Sequence, residues 1–158
     1  MKFATPAQKE CYDKVAGWMA ELFDDIPWES LGEPSGNGTP NSTSGPGFGL
    51  FMGSAWVEVR ILPWDDESIV SVRSTVVTGA DVTPELQAFL LQANADLQFG
   101  SFAVNRQGDI IFRHAIVGMT CDPEELETSV TAVLETADDY DDRIVETWGG
   151  DRALDRKI

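Results

Sequence analysis

Basic residues, histidine, cysteine and long apolar runs are all scarce in these 158 residues. Eleven lysines and arginines face 27 acids, for a net charge of −16. Binding a nucleic-acid backbone takes cations that displace its counterions, and an anionic membrane surface makes the same demand. No nucleic acid and no membrane is therefore expected as a partner. No apolar run approaches the ~20 residues a membrane span needs. The stretch from Met1 to Val15 has no apolar segment of the signal-peptide kind, so a cytoplasmic location is expected. His114, Cys11 and Cys121 lack the short spacings of a zinc site. The two thiols read as small, reduced, buried side chains. Asp138-Asp139-Tyr140-Asp141-Asp142 lacks the alternation and turn glycine of a calcium loop and reads as a solvated helix face. Gly36-Asn37-Gly38 has neither the third glycine nor the lysine of a phosphate loop, and no Gly-x-Ser-x-Gly elbow occurs. No metal, cofactor or catalytic set is expected. An enzyme would have to pair Cys121 with His114, which makes it the weakest reading.

Three amphipathic helices and two hairpins remain. Thr5-Pro6 is an N-cap followed by proline. Val15, Trp18, Met19, Leu22, Phe23 and Ile26 then form a helical stripe to about Asp24, with Pro27 as its stop. Leu50 to Leu62 reads as one strand, with Phe51, Ala55, Val57, Val59 and Ile61 on one face and Trp56, Glu58 and Arg60 on the other. Trp64 to Glu67 turns the chain into a second strand, Ser68 to Thr78. Matching apolar faces fixes the register: Ile61 opposite Val70, Val59 opposite Val72, Ala55 opposite Val76. Glu58 then faces Arg73, a favourable cross-strand pair. Thr83-Pro84 opens a helix to about Gln98. Gly100–Asn105 and Ile110–Gly118 form a hairpin around Gly108. Asp122-Pro123 opens a long helix that Gly149-Gly150 ends.

Residues 32–49 hold six glycines, three prolines and seven Ser, Thr or Asn, and read as a mobile linker. The organisation expected is an N-terminal helix in 1–31, a linker in 32–49, a core in 50–148 and a tail in 149–158, all one domain. The fold class is α+β, an antiparallel β-sheet with packed helices in the order α-ββ-α-ββ-α.

Leu90-Leu91-Gln92-Ala93-Asn94, Phe99-Gly100-Ser101-Phe102, Gly108-Asp109-Ile110-Ile111-Phe112-Arg113 and Thr136-Ala137-Asp138-Asp139-Tyr140-Asp141 occur in an order and spacing that resembles the YbjN family of sensory transduction regulators and the similar class I type III secretion chaperones. The resemblance covers about residues 50–148. It implies a small α+β module that binds a peptide or protein segment and often forms homodimers, and it brings no catalytic residues. The expected contacts are Trp56, Arg60 and Arg73 on the second face of the first hairpin, with Trp64 at its turn. The negative charge favours a basic or apolar segment. The alternative is a self-associating regulatory or structural subunit that uses the sheet or the second helix as a two-fold interface.

Overall fold

The computed structural model describes residues 1–32 and 45–156. Helix α1, Pro6–Leu22, starts where Thr5 accepts the Gln8 amide. It buries Cys11, Val15 and Met19. The Gln8 Nε2 donates to the Ile61 carbonyl at 2.8 Å, which fastens the helix to its own sheet. Four strands follow: β1 Trp28–Leu31, β2 Gly47–Met52, β3 Ala55–Trp64 and β4 Glu67–Thr78. Then come α2 Pro84–Asp96, β5 Ser101–Val104, β6 Ile110–Val117, α3 Pro123–Trp148 and the short β7 Asp151–Arg152, ending in a 3-10 turn at Ala153–Asp155. The sheet is antiparallel, in the order β1-β2-β3-β4-β6-β5, with β7 paired to the end of β4. All three helices lie over one face. There Val57, Val59, Ile61, Val70, Val72, Ile110 and Phe112 meet Val15, Met19, Leu126, Val130 and Val133 in a single core.

The α+β class, the three helices and the two expected hairpins are present. The register of the first hairpin is the expected one, with Ile61 on Val70, Val59 on Val72 and Glu58 on Arg73. Its ion pair is not across the strands, however. The Glu58 carboxylate turns along its own strand and accepts from Arg60 Nε at 2.9 Å.

The strand drawn from Leu50 to Leu62 is in fact two strands, β2 and β3, folded back on each other at Gly53-Ser54. Gly53 has a left-handed φ of 59°, and Asp138 of α3 holds the turn by accepting from the Ser54 amide at 2.7 Å and the Ser54 hydroxyl at 2.8 Å. The reversal moves Phe51 to the face of Trp56, whose ring lies 4.8 Å away, instead of the core face. The element order is therefore α-ββββ-α-ββ-α-β.

The linker reading also changes where the chain is described. Gly47-Phe48-Gly49 is buried strand, and Gly45 is buried beside it. These glycines serve close packing. A Cβ on Gly45 would sit 2.7 Å from the Ile61 carbonyl, one on Gly47 would strike the Val59 carbonyl, and one on Gly49 would enter the Trp56 ring. The remainder of that segment, residues 33–44, lies outside the described residues. In the expected tail, Asp151 and Arg152 pair with Thr78 and Val77.

Candidate functional site

The helices leave the second face of the sheet open. One row of paired residues crosses it through six strands: Glu29, Gly49, Glu58, Arg73, Arg113 and Ser101. Toward the β2–β3 turn, Phe51 and Trp56 form an aromatic shelf. With Pro27, Trp28, Glu29, Gly49, Ala153 and Arg156 they line a cleft of about 460 Å³. The floor of the cleft exists because Gly49 has no side chain, so Trp56 can lie across it. One wall comes from the C-terminal turn, held by the Leu154 amide on the Ser54 carbonyl and by Arg156 donating to the Thr75 carbonyl.

Among the described residues nothing pairs with the outer edge of β1, which the cleft borders. Pro27 accepts from the Phe51 amide, so the residues of β1 that bond to β2 alternate from Pro27: Glu29 and Leu31 point inward. Trp28 and Ser30 then turn their N–H and C=O groups outward, away from the sheet. The opposite edge is closed at its centre. Asn94 of α2 donates from Nδ2 to the Phe102 carbonyl at 3.1 Å and accepts the Phe102 amide at 2.6 Å, so one side chain takes the place of a neighbouring strand.

The four expected contact residues share this open face but not one environment. Trp56 lines the cleft. Arg60 is occupied by its own chain: it pairs with Glu58 and donates from Nη1 to the carbonyls of Gly32 at 3.0 Å and Gly45 at 2.8 Å. Trp64 stands 52% exposed at the far end of the hairpin. Arg73 lies in mid-sheet opposite Arg113, a like-charged neighbour. Burial lowers its affinity for its proton; Glu58 opposes that shift and Arg113 adds to it. Sequence reasoning missed the β1 edge, Phe51 and Gly49. The tryptophan-glutamate-serine-leucine stretch of β1 is too short to show alternation, and the glycines looked like flexibility.

Two polar clusters lie elsewhere. Asp141 of α3 is 1% exposed, with Oδ2 2.6 Å from the Ser54 hydroxyl and Oδ1 without a partner. The Ser54 hydroxyl also contacts Asp138, and its one proton cannot serve two carboxylates. A proton on Asp141 would complete the set, letting Asp141 donate to Ser54 and Ser54 donate to Asp138. Burial pushes the Asp141 carboxyl above the usual carboxylate range despite the Ser54 hydrogen bond. Cys11 and Cys121 are free and buried; burial raises both, Cys121 to about 12, which makes them poor nucleophiles. His114 packs edge-on to Phe99. Among the described residues no group of three or more His, Cys, Asp or Glu is placed to hold a metal, and no helix is long and apolar enough to cross a membrane.

Compared with known families, residues 39–156 match the sequence model of TY-Chap1, the T3SS (YopN, CesT) and YbjN peptide-binding chaperone 1. The chain belongs to this family. The TY-Chap1 match starts before β2 and ends after β7, so it takes in residues 39–49 and 149–156, part of each segment that the shorter resemblance left out. Helix α1 and the edge strand β1 precede it. Comparison with curated proteins returns no match.

Proposed function

We propose that this protein is a non-enzymatic module that binds an extended segment of another polypeptide by adding it as a strand to β1. The observation that carries this reading is the pairing of an open edge with an apolar cleft. The outward groups of Trp28 and Ser30 offer main-chain hydrogen bonds, and the cleft at Phe51 and Trp56 takes an apolar side chain from the incoming segment. Asn94 plugs the other edge, which leaves β1 as the preferred end of the sheet for strand addition. Trp56 serves as the aromatic anchor and Arg60 fixes the neighbouring backbone. Buried free thiols suit a reducing cytoplasm.

The test uses random 12-residue peptides displayed on phage, selected against the full chain. Recovered peptides should protect the Trp28 and Ser30 amides from hydrogen exchange. Ser30→Pro removes an outward N–H at an edge, where proline is tolerated. It should abolish binding while the melting temperature stays within a few degrees. Unchanged binding by Ser30→Pro would refute strand addition at β1.

A second reading, a homodimer used for regulation, is favoured by α2. There Leu91 is 70% exposed, and Phe99 beyond the helix is 42% exposed. A light-scattering mass of two chains that drops to one on Leu91→Glu would support it, and a mass of one chain for the unmodified protein would sink it.

A further inference from the structure

The open face of the sheet carries a charge pattern opposite to that of the whole protein. Arg60, Arg73 and Arg113 project from it and Arg156 borders it, four of only eleven bases in a chain with 27 acids. Arg73 and Arg113 sit directly opposite each other on β4 and β6, an arrangement that costs stability when nothing lies between the charges. No ion pair among the described residues takes up either guanidinium. The nearest acids are engaged elsewhere: Glu58 accepts from Arg60, and Asp109 accepts from Asn105 Nδ2 at 3.1 Å. The row on one side is small, with Ser71 opposite Ala115, so a visiting chain can approach the two guanidiniums from that side; on the other side Thr75 faces the buried Ile111.

From these observations we infer that Arg73 and Arg113 together bind a carboxylate side chain, an Asp or Glu of the partner peptide, and so make the preferred segment one with an apolar anchor followed by an acid. This rests on the peptide-binding reading above and narrows its partner. Arginine pairs hold carboxylates through charge-assisted, often bidentate hydrogen bonds, and the bound anion would remove the repulsion between them. The expected choice of a basic or apolar partner followed from net charge, which acts at long range and is screened within about 8–10 Å in salt. At contact distance the local pair dominates. The row also has a direction, with Glu29 and Glu58 on the cleft side and the two arginines beyond, so it sets the orientation of a segment crossing it. Strand spacing places Arg73 and Arg113 about 19 and 24 Å from a segment added beyond β1, because four and five strand spacings separate them. An extended chain that leaves the edge and crosses the open face covers that distance in about six to eight residues.

The experiment is the same phage selection, run in parallel on the unmodified chain and on the double variant Arg73→Glu/Arg113→Glu. The unmodified protein should return peptides with Asp or Glu about six to eight positions from a large apolar residue. The variant should return Lys or Arg at that position. Changing the consensus acid to Gln or Asn should weaken binding to the unmodified protein about 10-fold or more. A consensus with an apolar anchor and no fixed acid would overturn this inference and leave strand addition standing. No consensus at all would overturn the peptide-binding reading and this inference with it. If Arg73→Gln/Arg113→Gln converts a dimer to a monomer in light scattering, the carboxylate belongs to a second copy of the chain, and the peptide partner is overturned. The Gln pair removes the like charges without setting new acids beside Glu58, so its melting temperature should stay within a few degrees and its loss of peptide binding reports recognition and not unfolding.

Discussion

Gly53→Ala tests the turn on which the cleft depends. Gly53 adopts φ 59°, and a left-handed alanine costs about 1–2 kcal/mol. Its Cβ would also strike the Asp138 carboxylate, which must then leave the Ser54 amide and hydroxyl. Losing hydrogen bonds to a charged group adds about 1.5–3 kcal/mol. The sum, about 2.5–5 kcal/mol, should lower the melting temperature by roughly 5–20 °C in a domain of this size. Gly108→Ala is the control. Its φ of 84° is also left-handed, but nothing lies within 4 Å of the added Cβ. It should lose only the backbone cost, about 1–2 kcal/mol or roughly 2–8 °C. The assay is thermal unfolding of both variants, each made also in an Asp138→Ala background. Without Asp138 the extra cost at Gly53 should vanish and the two glycine substitutions should become equal. Equal losses in the unmodified background would refute the view that Asp138 clamps this turn.

Two further outcomes follow from the polar contacts. Asn94→Ala strands the Phe102 amide and carbonyl, each costing about 1–3 kcal/mol if water cannot reach it. It should lower the urea midpoint and also promote association through the newly opened β5 edge, read by light scattering; a destabilised variant that stays as monodisperse as the parent would contradict the role of Asn94 as an edge plug. Asp141 has a folded-state pKa above its unfolded one, so the stability it contributes is full below the ordinary carboxylate value of ~3.9 and is lost as pH rises through the raised folded value. Asp141→Asn cannot ionise and should be less sensitive to alkalinisation, so urea midpoints of the two proteins should move apart in its favour as pH rises; parallel curves would refute a protonated Asp141.

The local chemistry of the chain determined its helices. Thr5-Pro6, Thr83-Pro84 and Asp122-Pro123 each cap a helix within a few residues, and Gly149 ends the last one, because capping is a contact between near neighbours in sequence. The β3–β4 register was equally legible, since one face of alternating residues had to meet another. Tertiary structure alone decided the rest. Period-two alternation continues from Leu50 into Val57 and hides the reversal at Gly53-Ser54, which Asp138 stabilises from 84 residues away. Gly45, Gly47 and Gly49 have the composition of a linker, and only their neighbours on β3 show that they are there to let another backbone and a tryptophan come close. The candidate site was half visible for the same reason. Trp56 and Arg73 stood out by residue type and face. The outer edge of β1, the closed edge at Asn94 and the pairing of Arg73 with Arg113 arise from strand order, which joins residues far apart in the chain.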